Sequence, residues 1–404
     1  MRPAHLRETV RSSFWLVPAA CVAVAIGLAM LLTTIDQRLG QAGSPLVFTG
    51  GPEAARTLLS TITSSMITFT GLVFSITVVV LQLTSSQFSP RVLRTFLRDR
   101  ANQLALGVFT ATFVYAMMVL RTVRSSFEGS PFVPQLATTV AVGLVLLSVG
   151  IFLYYIHHIT NSIRAASIIA GIGRETRAEL DRRYPEDGGD PGPPRPASAP
   201  ARTVPAPRPG VVVLVDERSL VRRAAEVGCV LALVPRVGDF VPAGASLLEV
   251  LGRTDGSEDD RLVASIKFGR ERTMEQDVAF GFRQLADIAD RALSPGVNDP
   301  TTALQAIDQL HDLLRRLATR PFPTGRLADD DGRLRLLLPV VGWEEFLAVA
   351  VDELVQYAEG YGQVLARVRS MLADLGEVAR PEHRAAVDRR LAAIRDSEGV
   401  PAGR

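Results

Sequence analysis

Hydroxyl side chains recur along one long apolar stretch, residues 58–83, which carries no charged residue. At about 1.5 Å of rise per residue, a helix over this stretch crosses the roughly 30 Å hydrocarbon core of a bilayer. Steps of three, four and seven place its small and polar residues on one side of that helix. They are Thr61, Ser64, Thr68, Gly71, Ser75 and Gln82. We call this set the polar face, and its chemistry is that of uncharged hydroxyl groups.

The polar face has two interpretations in a membrane. Small residues let helix backbones approach closely, and hydroxyls bond across to a neighbour or back to their own helix, so the face is a candidate helix-packing surface. If several copies surround an axis, the same residues instead line a wet path without fixed charge. The amide of Gln82 is costly in lipid unless another helix or water satisfies it, so we expect Gln82 to face protein.

Three arginines follow the stretch at helical spacing: Arg91, Arg94 and Arg98. Excess arginine beside a membrane span is typical of a cytoplasmic loop. Contact with lipid phosphate or with an acidic surface of a soluble domain would let the same side chains couple the membrane part to that domain. Both interpretations place these residues at the boundary between membrane and cytoplasm.

Enzyme chemistry is not indicated by the sequence. The chain has no HExxH, GxSxG or phosphate-binding GxxxxGKS/T pattern and no metal-type cluster of cysteine and histidine. Asp277, Asn298 and Asp299 carry oxygen ligands, but turn and helix-cap roles explain Asn298 and Asp299 without an ion. We therefore expect no catalytic, cofactor-binding or metal-binding residue. The net charge of +2 gives no field for nucleic acid.

The elements that position the polar face are predicted from length and hydropathy. A chain of 404 residues that is 47% hydrophobic favours a membrane part joined to a soluble part. Apolar runs predict four transmembrane helices at about 14–35, 58–83, 104–123 and 133–156. Arginines near the ends of these spans put both termini on the cytoplasmic side. An amphipathic helical extension continues the transmembrane domain to residue 185.

The remainder of the chain predicts a soluble domain. Residues 186–209 form a Pro-rich linker, residues 210–266 a small β-rich unit, and residues 267–404 a helical part. The sequence Asn298-Asp299-Pro300 predicts a helix start with Asp299 as its N-cap. The predicted fold class is an α-helical membrane protein with four transmembrane helices and a cytoplasmic α+β domain.

Two long stretches carry a family resemblance. SSMITFTGLVFSITVVVLQLTSSQFSPRVLRTFLRD in the membrane part and QDVAFGFRQLADIADRALSPGVNDPTTALQAIDQL in the soluble part resemble the bacterial family of predicted membrane proteins known as domain of unknown function 2254. The resemblance covers most of the chain. It implies the same order of four spans and a cytoplasmic part, in the inner membrane of a bacterial cell, and it assigns no activity.

Two functions are compatible with these observations. The first is a homo-oligomeric, channel-like or permeation protein lined by the second transmembrane helix. The alternative is a structural or regulatory scaffold or sensor whose cytoplasmic domain binds a partner, with the polar face only packing helices. The expected partners are the lipid bilayer and further copies of the chain. The sequence identifies no protein partner.

Overall fold

The computed structural model describes residues 15–39, 48–87, 100–124, 132–162, 164–187, 192–194, 200–252, 256 and 258–399. The chain divides into two compact units, Met1–Arg164 and Ala165–Arg404. The sequence placed the end of the first domain later, at residue 185.

Long apolar helices build the first unit. They are α1 (Leu16–Leu39), α2 (Pro52–Gln87), α3 (Arg100–Leu120) and α4 (Gln135–Ser162). All four are long and apolar enough to cross a membrane, so the structure has a candidate membrane-spanning helix at each of the four predicted spans. Their ends differ from the predicted ones by several residues, because a helix continues wherever its backbone hydrogen bonds do and does not stop at the edge of the apolar run.

The third helix lies at the centre of the first unit. Half of the apolar span of α3 is buried (50%), against 22% of the spans of α1, α2 and α4. Its residues Phe109, Tyr115 and Ala116 are fully buried, and they belong to clusters shared with the other three helices. The hydrogen bonds Thr77–Tyr155 (2.8 Å) and Thr112–Ser148 (3.1 Å) add polar contacts between helices inside the bundle.

Asp36, near the end of α1, holds the start of α4. Its two carboxylate oxygens accept hydrogen bonds from the backbone N–H groups of Leu136 (3.1 Å) and Ala137 (3.0 Å). These are N–H groups of a first helical turn, which have no partner within the helix itself. A carboxylate from a residue about one hundred positions earlier therefore caps α4 and ties α1 to it.

The second unit combines helices with two small sheets. Its helices are α5 (Ala165–Arg183), α6 (Glu217–Val227), α7 (Asp259–Val263), α8 (Val278–Leu293), α9 (Pro300–Ala318), α10 (Trp343–Leu347), α11 (Glu353–Tyr357), α12 (Gly362–Val378) and α13 (Pro381–Gly399). A π-helical turn, Ala348–Asp352, joins α10 to α11. Its strands are β1 (Arg202–Pro205), β2 (Gly210–Val215), β3 (Val230–Leu233), β4 (Phe240–Val241), β5 (Ser246–Leu251), β6 (Ile266–Gly269), β7 (Arg326–Ala328) and β8 (Leu334–Leu337).

Strand pairing connects segments that were predicted to belong to separate parts of the soluble domain. One sheet has the order β1-β5-β3-β8-β7 and the other the order β4-β2-β6. Strand β1 lies within the predicted linker 186–209. Its backbone N–H and C=O groups pair with those of β5, whereas in a solvated linker they would hydrogen-bond to water. The parallel pair β3–β8 brings residues of the predicted helical part into the sheet of the β-rich unit. The two parts therefore share one sheet.

Helix α5 packs within the second unit. The guanidinium of Arg177 donates two hydrogen bonds, of 2.9 Å and 2.7 Å, to one carboxylate oxygen of Asp312 on α9. Gly281 of α8 lies so close to α5 that an added Cβ would be 2.0 Å from the hydroxyl oxygen of Thr176. Glycine at this position is what allows the two helices to approach.

We predict that Gly281→Ala lowers the free energy of unfolding by about 1–3 kcal/mol, because the new methyl group overpacks the contact with Thr176. The matched control is Gly376→Ala in α12, where the nearest atom to an added Cβ is 3.9 Å away. That variant should gain up to about 1 kcal/mol from helix propensity. Thermal unfolding of the full chain, followed by fluorescence of the buried Trp343 in a Trp15→Phe background, measures both. Equal stability of the two variants would contradict the packing.

Candidate functional site

The polar face of α2 points away from the other helices of its own chain. Each of its members is exposed: Thr61, Ser64, Thr68, Gly71, Ser75 and Gln82. An added Cβ at Gly71 would have no neighbour within 4 Å. The expectation that Gln82 faces protein is therefore not met within a single chain. The side chains of the polar face contact whatever surrounds the bundle.

The opposite side of α2 makes its contacts within the bundle. Leu59, Ile62, Met66, Val73 and Val80 are buried there, each at most 6% exposed. At about 100° per residue, these positions lie roughly half a turn from Ser64 and Ser75. The side of α2 that packs on the chain is thus largely apolar, with Thr77 as a buried polar residue, while the exposed side carries the polar face flanked by apolar residues such as Ile67 and Phe74. A continuous row of small and polar residues on the exposed side is not required of a helix whose outer side meets only lipid.

Three hydroxyl groups of the polar face bond back to their own helix. Thr61 donates to the carbonyl of Thr57 (2.8 Å), Thr68 to that of Ser64 (3.0 Å) and Ser75 to that of Gly71 (2.9 Å). Each donor proton is satisfied locally, and each hydroxyl oxygen keeps lone pairs for a further partner. The face can therefore contact another helix closely or accept hydrogen bonds from water.

The three residues predicted to couple the membrane to the soluble domain lie outside the described residues: Arg91, Arg94 and Arg98. The structure does describe a different group of arginines at the other end of α2. Arg56, Arg121 and Arg124 line a recess of about 510 Å³ together with Thr57 and Ser60. The sequence could not reveal this group, because Arg56 and Arg121 are far apart along the chain and meet only through helix packing.

A cavity of about 590 Å³ lies within the second unit. Its lining includes Tyr184, Val215, Gln276, Val278 and Leu338. Gln276 has a positive φ of 61°. Its amide accepts a hydrogen bond from the N–H of Val215 (2.8 Å) and donates one to the carbonyl of Val215 (3.0 Å). The side chain thus completes the edge of β2 and fixes one wall of the cavity.

Two carboxylates that line this cavity are paired with arginines. Asp277 accepts two hydrogen bonds of 3.0 Å from Arg272, and Asp329 accepts one of 2.6 Å from Arg335. Burial raises the pKa of Asp277, and the Arg272 guanidinium opposes that shift. Paired charges beside apolar walls are compatible with a small organic ligand.

The three oxygen-bearing residues considered for an ion do not form one site. Asp277 caps α8 through the N–H of Phe280 (3.0 Å), and Asp299 caps α9 through the N–H of Thr302 (3.1 Å). The two caps lie before and after α8, whose 16 residues separate them by about 24 Å. Among the residues that the structure describes, no group of three histidine, cysteine, aspartate or glutamate side chains is arranged to hold a metal ion.

Asp290 is a buried acid on α8 that the sequence did not single out. Its side chain is 8% exposed, and its Oδ1 atom has no hydrogen-bond partner within the described part of the chain. Burial, together with the nearby charge of Glu353, raises its pKa to about 7, while Arg283 opposes the shift. Arg283 itself bonds to Asp287 (2.6 Å) and Glu353 (2.8 Å), so it is already shared between two carboxylates.

We predict that Asp290 makes the second unit less stable as the pH rises. The folded state binds a proton that the unfolded state releases above about pH 4, so stability falls until about pH 7, where the folded acid also ionises. The slope is at most about 1.4 kcal/mol per pH unit. Asp290→Asn should remove this slope and be more stable than the wild type at pH 8.

The control for this prediction is Asp330→Asn, at an exposed aspartate of the same unit. The free energy of unfolding of both variants would be measured between pH 4 and pH 8 from Trp343 fluorescence. The pH slope should disappear in Asp290→Asn and remain in Asp330→Asn. A wild-type slope that survives in Asp290→Asn would show that another group titrates.

Comparison with known proteins supports the membrane assignment. A family model described as "Predicted membrane protein (DUF2254)" matches residues 11–374. An uncharacterized protein of Mycobacterium tuberculosis strain H37Rv is 35% identical over 403 residues, which cover 97% of this chain and 77% of the relative. An uncharacterized protein of Mycobacterium bovis gives the same values. No solved structure matches the chain.

The matched region includes all four apolar helices, with the polar face on α2, and most of the second unit. It also contains both stretches on which the resemblance was based. The chain therefore belongs to the family of predicted membrane proteins known as domain of unknown function 2254.

Proposed function

We propose that the protein is a homo-oligomeric, channel-like membrane protein in which the polar faces of several α2 helices meet around a common path. The observation that carries this proposal is the exposure of all six polar-face residues opposite the buried side of α2. The amide of Gln82 facing lipid would be costly, and neighbouring copies of the same face would relieve that cost while also meeting the free lone pairs of the hydroxyls.

The spacing of the polar face favours association with copies of itself. Thr57, also exposed, extends the set, and the alternating steps of four and three give an average repeat of about 3.5 residues. Such a repeat keeps one side of a helix against a neighbour along its whole length, as in left-handed helix packing. Small residues at this repeat allow close approach, while hydroxyl oxygens remain available to water.

The proposal extends to orientation and requires no enzyme chemistry. We place the protein in the bacterial inner membrane, with both termini and the second unit on the cytoplasmic side. The arginine bias beside the predicted spans supports this orientation. In this arrangement the end of α2 that carries Gln82 faces the cytoplasm, and no residue acts as a catalyst.

Reconstitution tests the proposal. Purified full chain in liposomes of neutral lipid should conduct ions under a KCl gradient, and the protein should run as an oligomer in mild detergent. The control is the same protein with Ser64, Thr68 and Ser75 all changed to leucine. These changes replace the hydroxyls of the polar face with bulky apolar groups and add no charge, so they should block the path. Absence of conductance from an intact oligomer would contradict the channel-like function.

A regulatory or scaffold function is the second candidate, and the cavity of the second unit favours it. A volume of about 590 Å³ with mixed polar and apolar walls suits a small ligand or the side chains of a partner. Arg326 lines this cavity, so a photo-crosslinking residue there should capture a partner in cells. The control position is Arg218, which is exposed and does not line the cavity. Capture of equal material from both positions would contradict a cavity-based function.

A further inference from the structure

We propose that the cavity of the second unit binds an uncharged small molecule with a mainly apolar body. The cavity volume of about 590 Å³ lies within the range of about 300–1,000 Å³ that is typical of ligand sites. The proposal rests on the regulatory candidate described above, for which it names the class of ligand, and it is independent of the proposed path along α2.

Apolar side chains with accessible surface form much of the lining. Val237, Leu327 and Leu338 pack against the apolar core of the β-rich part and remain only partly buried. Ala279 of α8 and Val340 are also partly buried and line the same cavity. A ligand with an apolar body would remove this surface from water, which is favourable in proportion to the area covered.

Charged residues of the lining have partners within the protein itself. Those that form ion pairs with a described residue carry both signs of charge: Arg183, Glu217, Arg236, Asp277 and Asp329. A charged ligand would have to leave water beside charges that already have partners, and such a transfer is costly. An uncharged ligand avoids this cost.

The start of α8 shows how this balance is achieved. A helix N-terminus carries a partial positive charge, and the first turn of α8 contributes Val278 and Ala279 to the lining. The Asp277 carboxylate lies at this end, where it accepts hydrogen bonds from the N–H of Phe280 (3.0 Å) and from Arg272 (3.0 Å). The helix end and the guanidinium therefore share one counter-charge, and neither requires an anionic ligand.

Hydrogen bonds within the protein fix the walls of the cavity. The hydroxyl of Tyr184 donates to the carbonyl of Val341 at 3.1 Å. Gln276 is held in its left-handed backbone conformation by its two side-chain bonds to Val215 and by a bond of 3.1 Å from its own N–H to the Glu179 carboxylate. Residues in such conformations persist where their surroundings fix them, and they cluster at ligand sites. The walls are thus formed before a ligand binds, as is usual for small-molecule sites.

Photolabelling of the full chain in uncharged detergent tests the proposal. The probes are benzophenone, which is uncharged, and two analogues with the same rings, 4-benzoylbenzoate as the anion and 4-(aminomethyl)benzophenone as the cation. Peptide mass spectrometry locates each label, so labelling of the cavity is separated from labelling of the membrane spans. The variants Ala279→Phe and Ala328→Phe each add a ring to the lining. The control is Ala392→Phe, at an exposed position of α13 that does not line the cavity.

Benzophenone should label the lining at least about tenfold more than either charged analogue, and each lining variant should lower that labelling by about the same factor. The control variant should be labelled like the wild type. Trp343 fluorescence shows whether a variant is folded, and Ala328→Phe reports the effect if Ala279→Phe does not fold. Equal labelling by the charged probes, or labelling that both lining variants leave unchanged, would overturn the proposal. Failure to capture a protein partner from Arg326 would count against the scaffold function alone, because this labelling requires no partner.

Discussion

Changing Ser64 to leucine is expected to reduce the conductance of the reconstituted protein at least about tenfold, which corresponds to about 1.4 kcal/mol of added barrier. Leucine replaces a small hydroxyl that offers oxygen lone pairs to water with a bulky group that offers none, so it both narrows and dries the path. Thr68→Leu should act in the same direction, because Thr68 lies one turn further along the same face. Conductance of purified protein in planar bilayers measures both variants.

The matched control is Ser65→Leu. Ser65 is also an exposed serine of α2, but it follows Ser64 directly and points about 100° away from it. It undergoes the same chemical change outside the polar face. Equal loss of conductance in Ser64→Leu and Ser65→Leu would show that leucine disturbs α2 in general, and unchanged conductance in Ser64→Leu would exclude a path along this face.

Changing Asp277 to alanine is expected to lower the free energy of unfolding by about 3 kcal/mol. The side chain of Asp277 is 3% exposed, holds Arg272 through two hydrogen bonds and caps α8. Its removal leaves Arg272 without its carboxylate partner and the first turn of α8 without its cap. Because the side chain of Arg272 is 36% exposed and reaches water, the loss should lie at the lower end of the range for broken buried ion pairs.

Asp299→Ala separates the two contributions. Asp299 caps α9 in the same way, but no arginine pairs with it among the described residues. Its carboxylate accepts hydrogen bonds from the backbone N–H and the hydroxyl of Thr302. Loss of a cap alone costs about 1 kcal/mol. Unfolding of both variants, followed by Trp343 fluorescence, should show the larger loss in Asp277→Ala. Equal losses would mean that the buried pair with Arg272 contributes nothing beyond the cap.

Features written into local sequence were predicted correctly. The four spans follow from hydropathy alone, and Asp299 was identified as an N-cap because proline follows it at the first helical position. The stripe of polar residues on α2 follows from its spacing. In each case the physical cause lies within a few residues or within one helix, where periodicity and cap chemistry act.

Features that depend on contacts between distant residues were not predicted. Periodicity separates the two sides of α2 but does not say which side packs on the chain, so the exposure of the polar face had to come from the structure. Strand β1 was missed because a Pro-rich segment lacks strand periodicity, and its pairing partner lies more than forty residues later. The charge of the Arg56, Arg121 and Arg124 recess depends on the packing of α2 against α3.

Contact between α2 helices of neighbouring copies is the central claim, and cysteine crosslinking in membranes tests it most directly. In a background with Cys21 and Cys229 changed to alanine, single cysteines would replace Ser64, Thr68 and Ser75, or the exposed flanking residues Ile67 and Phe74. A disulfide requires Cα atoms within about 7 Å, so it forms only where two copies touch. We expect crosslinked dimers at the polar-face positions and few at the flanks; strong crosslinking at Ile67 and Phe74 with none on the polar face would contradict the claim.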